Sequence, residues 1–77
     1  MTGSHMTQRG YAARVLAEIA GLDDYVCGFS TETDCMTAIA SLYPHDRIRV
    51  TLTPLSHQAV GGLSPPLRQG EVRRAGG

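Results

Sequence analysis

The spacing of hydrophobic positions along the chain changes from segment to segment, and each spacing predicts an element. A helix is expected over residues 8–20: Tyr11, Ala12, Val15, Leu16 and Ile19 fall on one face, and Leu22 continues that spacing just beyond it. Alanines at 12, 13, 17 and 20 favour that helix, Arg14 and Glu18 lie opposite its apolar face, and Gly21 sits where a capping glycine belongs. Residues 24–29 alternate Tyr25, Cys27 and Phe29 with Val26 and Gly28, which predicts a strand covered on both faces or central in its sheet.

A second helix is expected over 31–43. Thr31 followed by Asp34 approximates a capping box, and Glu32 with Asp34 places negative charge in the first turn. Cys35, Ala38, Ile39, Leu42 and Tyr43 form its apolar stripe, and Pro44 ends it. Residues 47–53 give the cleanest alternation in the chain. Ile48, Val50 and Leu52 point one way; Arg47, Arg49, Thr51 and Thr53 point the other. Pro54 is expected to stop this ladder, with room for a short further strand at about 56–60.

From residue 61 the pattern dissolves into Gly61-Gly62, Pro65-Pro66 and Gly70, with little beyond Leu67 and Val72 to bury. Residues 61–77 are therefore expected to be a disordered tail. At the other end, Gly3-Ser4-His5-Met6 reads as the scar of a removed purification tag, so residues 1–5 are set aside. The domain is then 6–60. Its fold class is α+β, a small two-layer domain in the order helix, strand, helix, strand. Strands 24–29 and 47–53 with the helix between them would form a parallel βαβ unit. Two strands make a poor sheet. The exposed edge of 47–53 therefore invites a third strand, from 55–60 or from a second copy of the chain in a homodimer.

Composition narrows the classes. The 77 residues carry seven basic and seven acidic side chains, a balance that argues against binding nucleic acid through bulk charge. No apolar run approaches the roughly 18–20 residues of a membrane span, and no secretory leader is present, so a cytoplasmic protein is expected. Every basic residue is arginine, which points to a G+C-rich bacterium or one of its phages or plasmids. The lack of lysine excludes Schiff-base chemistry and a P-loop lysine.

Candidate chemistry is sparse. Cys27 and Cys35 suit a thiol-redox pair or, on the bland reading, two small core residues. Cys27, Cys35, His45 and His57 provide metal-ligating atoms, but their gaps match no zinc-finger spacing. His45-Asp46 sits at the far end of a helix from Ser30, Thr31 and Cys35, so a nucleophile–base dyad within one chain is not expected. The terminal Gly76-Gly77 resembles the ending of ubiquitin-like modifiers and bacterial sulfur-carrier proteins. The likeness covers those two residues. Those proteins open with a β-hairpin, whereas a helix is expected here, and no function is carried across.

No cofactor or metal is called for and no enzyme is expected. The sequence reads as a non-enzymatic protein-binding module, an accessory, inhibitory or regulatory protein acting on a larger bacterial or phage assembly. The partner face would be Arg47, Arg49, Thr51 and Thr53. The first alternative is a nucleic-acid-binding regulator using Arg47, Arg49, Arg68, Arg73 and Arg74. The second is a thiol-redox or metal-binding protein.

Overall fold

Residues 10–17 form a strand, not the helix that their spacing predicts. In the computed structural model, which describes residues 9–75, the elements are β1 (Gly10–Ala17), β2 (Gly21–Gly28), α1 (Glu32–Ser41), β3 (Ile48–Leu55), α2 (His57–Gly61) and β4 (Val72–Arg74). The tag remnant and Gly76-Gly77 lie outside the described residues. The strands make one antiparallel sheet in the order β3-β1-β2-β4.

The β1 sequence satisfies two periods at once. At a period of two, Tyr11, Ala13, Val15 and Ala17 share a face, and all four are buried. Strand neighbours on both sides decide between the periods, because they satisfy every backbone group of β1 and outweigh alanine's helix propensity. Gly21 does adopt a left-handed φ of 97°, but it closes a hairpin turn over residues 18–20 instead of capping a helix. Arg14 pairs across the strands with Asp24, Nε to Oδ1 at 3.0 Å, not along a helix with Glu18.

Helix α1 forms where expected. The Thr31 hydroxyl accepts the Asp34 N–H at 3.1 Å. Its buried residues, Cys35 and Ile39, pack on Tyr11, Ala13, Val15 and Cys27. The small side chains at Ala13 and Cys27 leave room for this approach. Strands β2 and β3 share a sheet and run in the same direction, but β1 lies between them, so the expected βαβ unit is split. The third strand comes from residues read as helix. Segment 56–60 is helical, capped by Ser56 Oγ accepting Ala59 N–H.

Of the expected disordered tail, the described residues 61–75 are instead part of the fold. Gly10, Gly28 and Leu55 lie on the sheet face opposite α1, and Val60, Leu67 and the Arg68 carbonyl close on them there. Leu67 is buried, and β4 then pairs with β2. The chain therefore has α1 on one face and α2 with the 63–70 segment over one end of the other. The first two described elements form a β-hairpin where a helix was expected, but a likeness of two residues still carries no function across. The likeness itself falls on residues outside the described ones.

Candidate interaction surface

The hydrogen-bond parity of the ladders shows which backbone groups are left over. Phe29 N–H donates to Arg9 C=O and Glu18 N–H donates to Arg47 C=O. Odd residues of β1 thus bond to β2, and even ones to β3. In β3, Arg49, Thr51, Thr53 and Leu55 turn their backbone toward β1, while Ile48, Val50, Leu52 and Pro54 turn theirs outward. Among the described residues nothing pairs with that outer side, because β3 is an edge strand of the sheet they form. This explains why β3 runs through Pro54 to Leu55 instead of stopping before it. The missing N–H of Pro54 faces outward, where no ladder bond is lost.

The two edges of the sheet differ. β4 is three residues long, whereas β3 spans Ile48–Leu55, and a short edge offers a poor template. Beside the β3 edge, on the helix face, α1 overhangs an open groove of about 400 Å³. Met36, Thr37 and Ala40 line it from above, Ile48 and Val50 from below. Met36 is 45% exposed, and Ile48, Val50 and Leu52 are only half-buried.

The residues singled out from sequence, Arg47, Arg49, Thr51 and Thr53, are all exposed. Arg49, Thr51 and Thr53 align on the face of β3 away from α1, opposite Leu16, Arg14 and Ala12 of β1. The side chains of Arg47 and Arg49 have no hydrogen-bond or ion-pair partner among the described residues. At the hairpin end this face carries Leu16 and its cross-strand partner Leu22, 49% and 55% exposed, with Ile19 in the turn.

The five arginines considered for nucleic acid are not brought together. Arg47 and Arg49 belong to one edge of the sheet, Arg73 and Arg74 to the other, about 14 Å away at the usual strand spacing. The tail pair is also engaged. Arg73 Nε donates to Glu71 Oε2 at 2.9 Å and its Nη1 to the Pro65 carbonyl at 2.6 Å. Glu71 also accepts the Arg68 N–H at 2.8 Å. That bond, then the Arg73 guanidinium, holds its carboxyl below the usual carboxylate range. Arg74 reaches Asp23 at 3.0 Å and lies 6.0 Å from the centre of the Tyr25 ring.

The metal set is dispersed as well. His45 precedes β3 and His57 follows it, so a whole strand separates them, and no metal-holding group of His, Cys, Asp and Glu occurs among the described residues. Cys27 and Cys35 are buried free thiols in mutual contact. Burial, then hydrogen bonding to Cys35, pushes the Cys27 thiol far up; burial also raises Cys35. Neither favours the thiolate that nucleophilic or redox chemistry uses. His57, Glu32 and Arg9 rim an open cleft of about 500 Å³ at the other end of the sheet, where the Ser56 hydroxyl is already committed to its helix cap.

One cluster has no signal in the sequence. Tyr43 hydroxyl donates to Asp23 Oδ2 at 3.0 Å, so the 2.6 Å contact with Tyr25 has Tyr25 as donor. The rings meet edge to face at 78°. With Arg74 on the same Asp23, this cluster ties the segment after α1 to β2 and β4. Burial and then the two hydrogen bonds raise the Tyr43 hydroxyl above the ordinary phenol value.

No family model, curated protein or solved structure matches this chain. Among the described residues, no helix is long and apolar enough to cross a membrane.

Proposed function

We propose that the protein is a non-enzymatic protein-binding module that accepts a strand from its partner at the β3 edge. The observation that carries this reading is the outward row of backbone groups at Ile48, Val50 and Leu52, beside an apolar groove that a strand's side chains can enter. Main-chain bonds would supply affinity. The groove on one side and Arg49, Thr51 and Thr53 on the other would supply selectivity. A cytoplasmic accessory or regulatory role in a bacterial or phage assembly fits this reading. The rival nucleic-acid reading is less well supported, because its arginines are split between two edges and two are held by Glu71 and Asp23.

The test is site-specific photocrosslinking in cells expressing the full chain. A photoreactive residue at Thr51 or Thr53 is expected to capture a protein that one at exposed Ser41 on α1 does not, with capture lost on Val50→Pro. Val50 turns its N–H outward, so proline there blocks a docking strand without removing a bond to β1. Capture that is equal at Ser41, or indifferent to Val50→Pro, would refute edge recruitment.

A further inference from the structure

We propose that the strand accepted at the β3 edge is β3 of a second copy of this chain, giving a symmetric dimer built on a continuous eight-stranded sheet. The inference rests on the edge-recruitment reading and names its occupant. Three features of β3 point to self-pairing.

The first is register. The outward-facing residues whose N–H has no partner among the described residues are Ile48, Val50 and Leu52. An antiparallel pairing centred on Val50 sets Val50 against its own copy and Ile48 against Leu52, so every outward N–H in this set meets a carbonyl. This pairing forms about six bonds, two for each hydrogen-bonded pair. Pro54 then falls opposite Asp46, before the start of the partner's strand, where its ring obstructs no bond. The proline thus restricts the edge to the stretch that is self-complementary.

The second is side-chain complementarity. In this register Arg49 faces Thr51 and Arg47 faces Thr53 of the other copy. No like charges stand directly opposite, and the chain as a whole is neutral. On the helix face the aliphatic stripe of one β3 meets the same stripe of the other.

The third is continuity of the core. The interior is complete over β1 and β2, where Val15, Cys27, Cys35 and Ile39 are fully buried, but it is left open along β3. The groove under α1 and the exposed Met36 lie on that side. A second β3 in register brings aliphatic side chains to this groove and extends the interior across the dyad. The core of a domain this small gains from such a neighbour.

Sedimentation equilibrium of the full chain and amide hydrogen exchange, both over a range of concentrations, test the proposal. The expected result is a dimer mass, with the Ile48, Val50 and Leu52 amides becoming protected as dimer forms. The Arg49, Thr51 and Thr53 amides, already bonded to β1, should be protected throughout. Val50→Pro should weaken dimerisation by about tenfold or more while the chain stays folded. A monomer whose three outward amides exchange freely at every concentration overturns self-pairing. So does a dimer in which they remain unprotected. Failure of self-pairing alone would leave photocrosslinking from β3 to a different protein intact. Failure of edge recruitment would remove β3-specific crosslinks of either kind.

Discussion

Gly10 and Gly28 face each other across the β1–β2 ladder, and both are open toward Leu67. A Cβ on Gly28 would run into the Arg68 carbonyl oxygen and stand 3.2 Å from Leu67 Cγ. One on Gly10 would meet Val60 Cγ2 at 2.6 Å. Two adjacent positions without side chains thus form the seat on which the C-terminal segment lies.

Gly28→Ala should therefore lift the 67–71 segment and loosen β4. The cost expected for such overpacking is about 1–3 kcal/mol, read from urea unfolding. Gly61→Ala, with nothing within 4 Å, should stay within about 0.5 kcal/mol of the parent. Equal effects at the two glycines would mean that the segment does not depend on this seat.

Leu67→Ala removes the buried side chain that fills the seat. Core truncations of this kind cost about 2–5 kcal/mol. Amide exchange should speed up in β4 before it does in β1. A C-terminal segment free of the sheet would show no such loss.

Both thiols should resist modification in the folded protein. A disulfide reagent at mildly alkaline pH should react with Cys27 and Cys35 no faster than the chain opens, and promptly in denaturant. Rapid native labelling of either one would restore the thiol-chemistry reading.

Tyr43 is expected to couple stability to alkaline pH. Its folded-state pKa lies above the unfolded value, so the proton is held more tightly in the folded state. The associated stability is fully present below the unfolded phenol pKa, about 10, and is lost as pH rises through the folded one. Tyr43→Phe should flatten the fall in stability above about pH 10. An unchanged alkaline slope would show that the Tyr25–Tyr43–Asp23 cluster does not couple protonation to folding.

Helix α1 and strand β3 were legible in the sequence because their signals are local. Thr31 and Asp34 sit one helical turn apart, and the alternation of Ile48, Val50 and Leu52 with Arg49, Thr51 and Thr53 allows a single reading. The exposed placement of Arg47, Arg49, Thr51 and Thr53 followed from the same alternation. Only the tertiary structure decided the rest. Tyr11, Ala13, Val15 and Ala17 share a face at a period of two, while Tyr11, Val15 and Ile19 share one at a helical period, and the choice belongs to β2 and β3, which are distant in sequence. The tail looked too poor in apolar residues to fold, yet Leu67 and Val72 suffice because Gly10 and Gly28 receive the first and β2 supplies a free edge to the second. Which backbone groups of β3 remain unpaired depended in turn on where β1 lay. Local patterns specify elements that carry their own periodicity and caps. Elements whose stability comes from neighbours far along the chain become visible when those neighbours are in place.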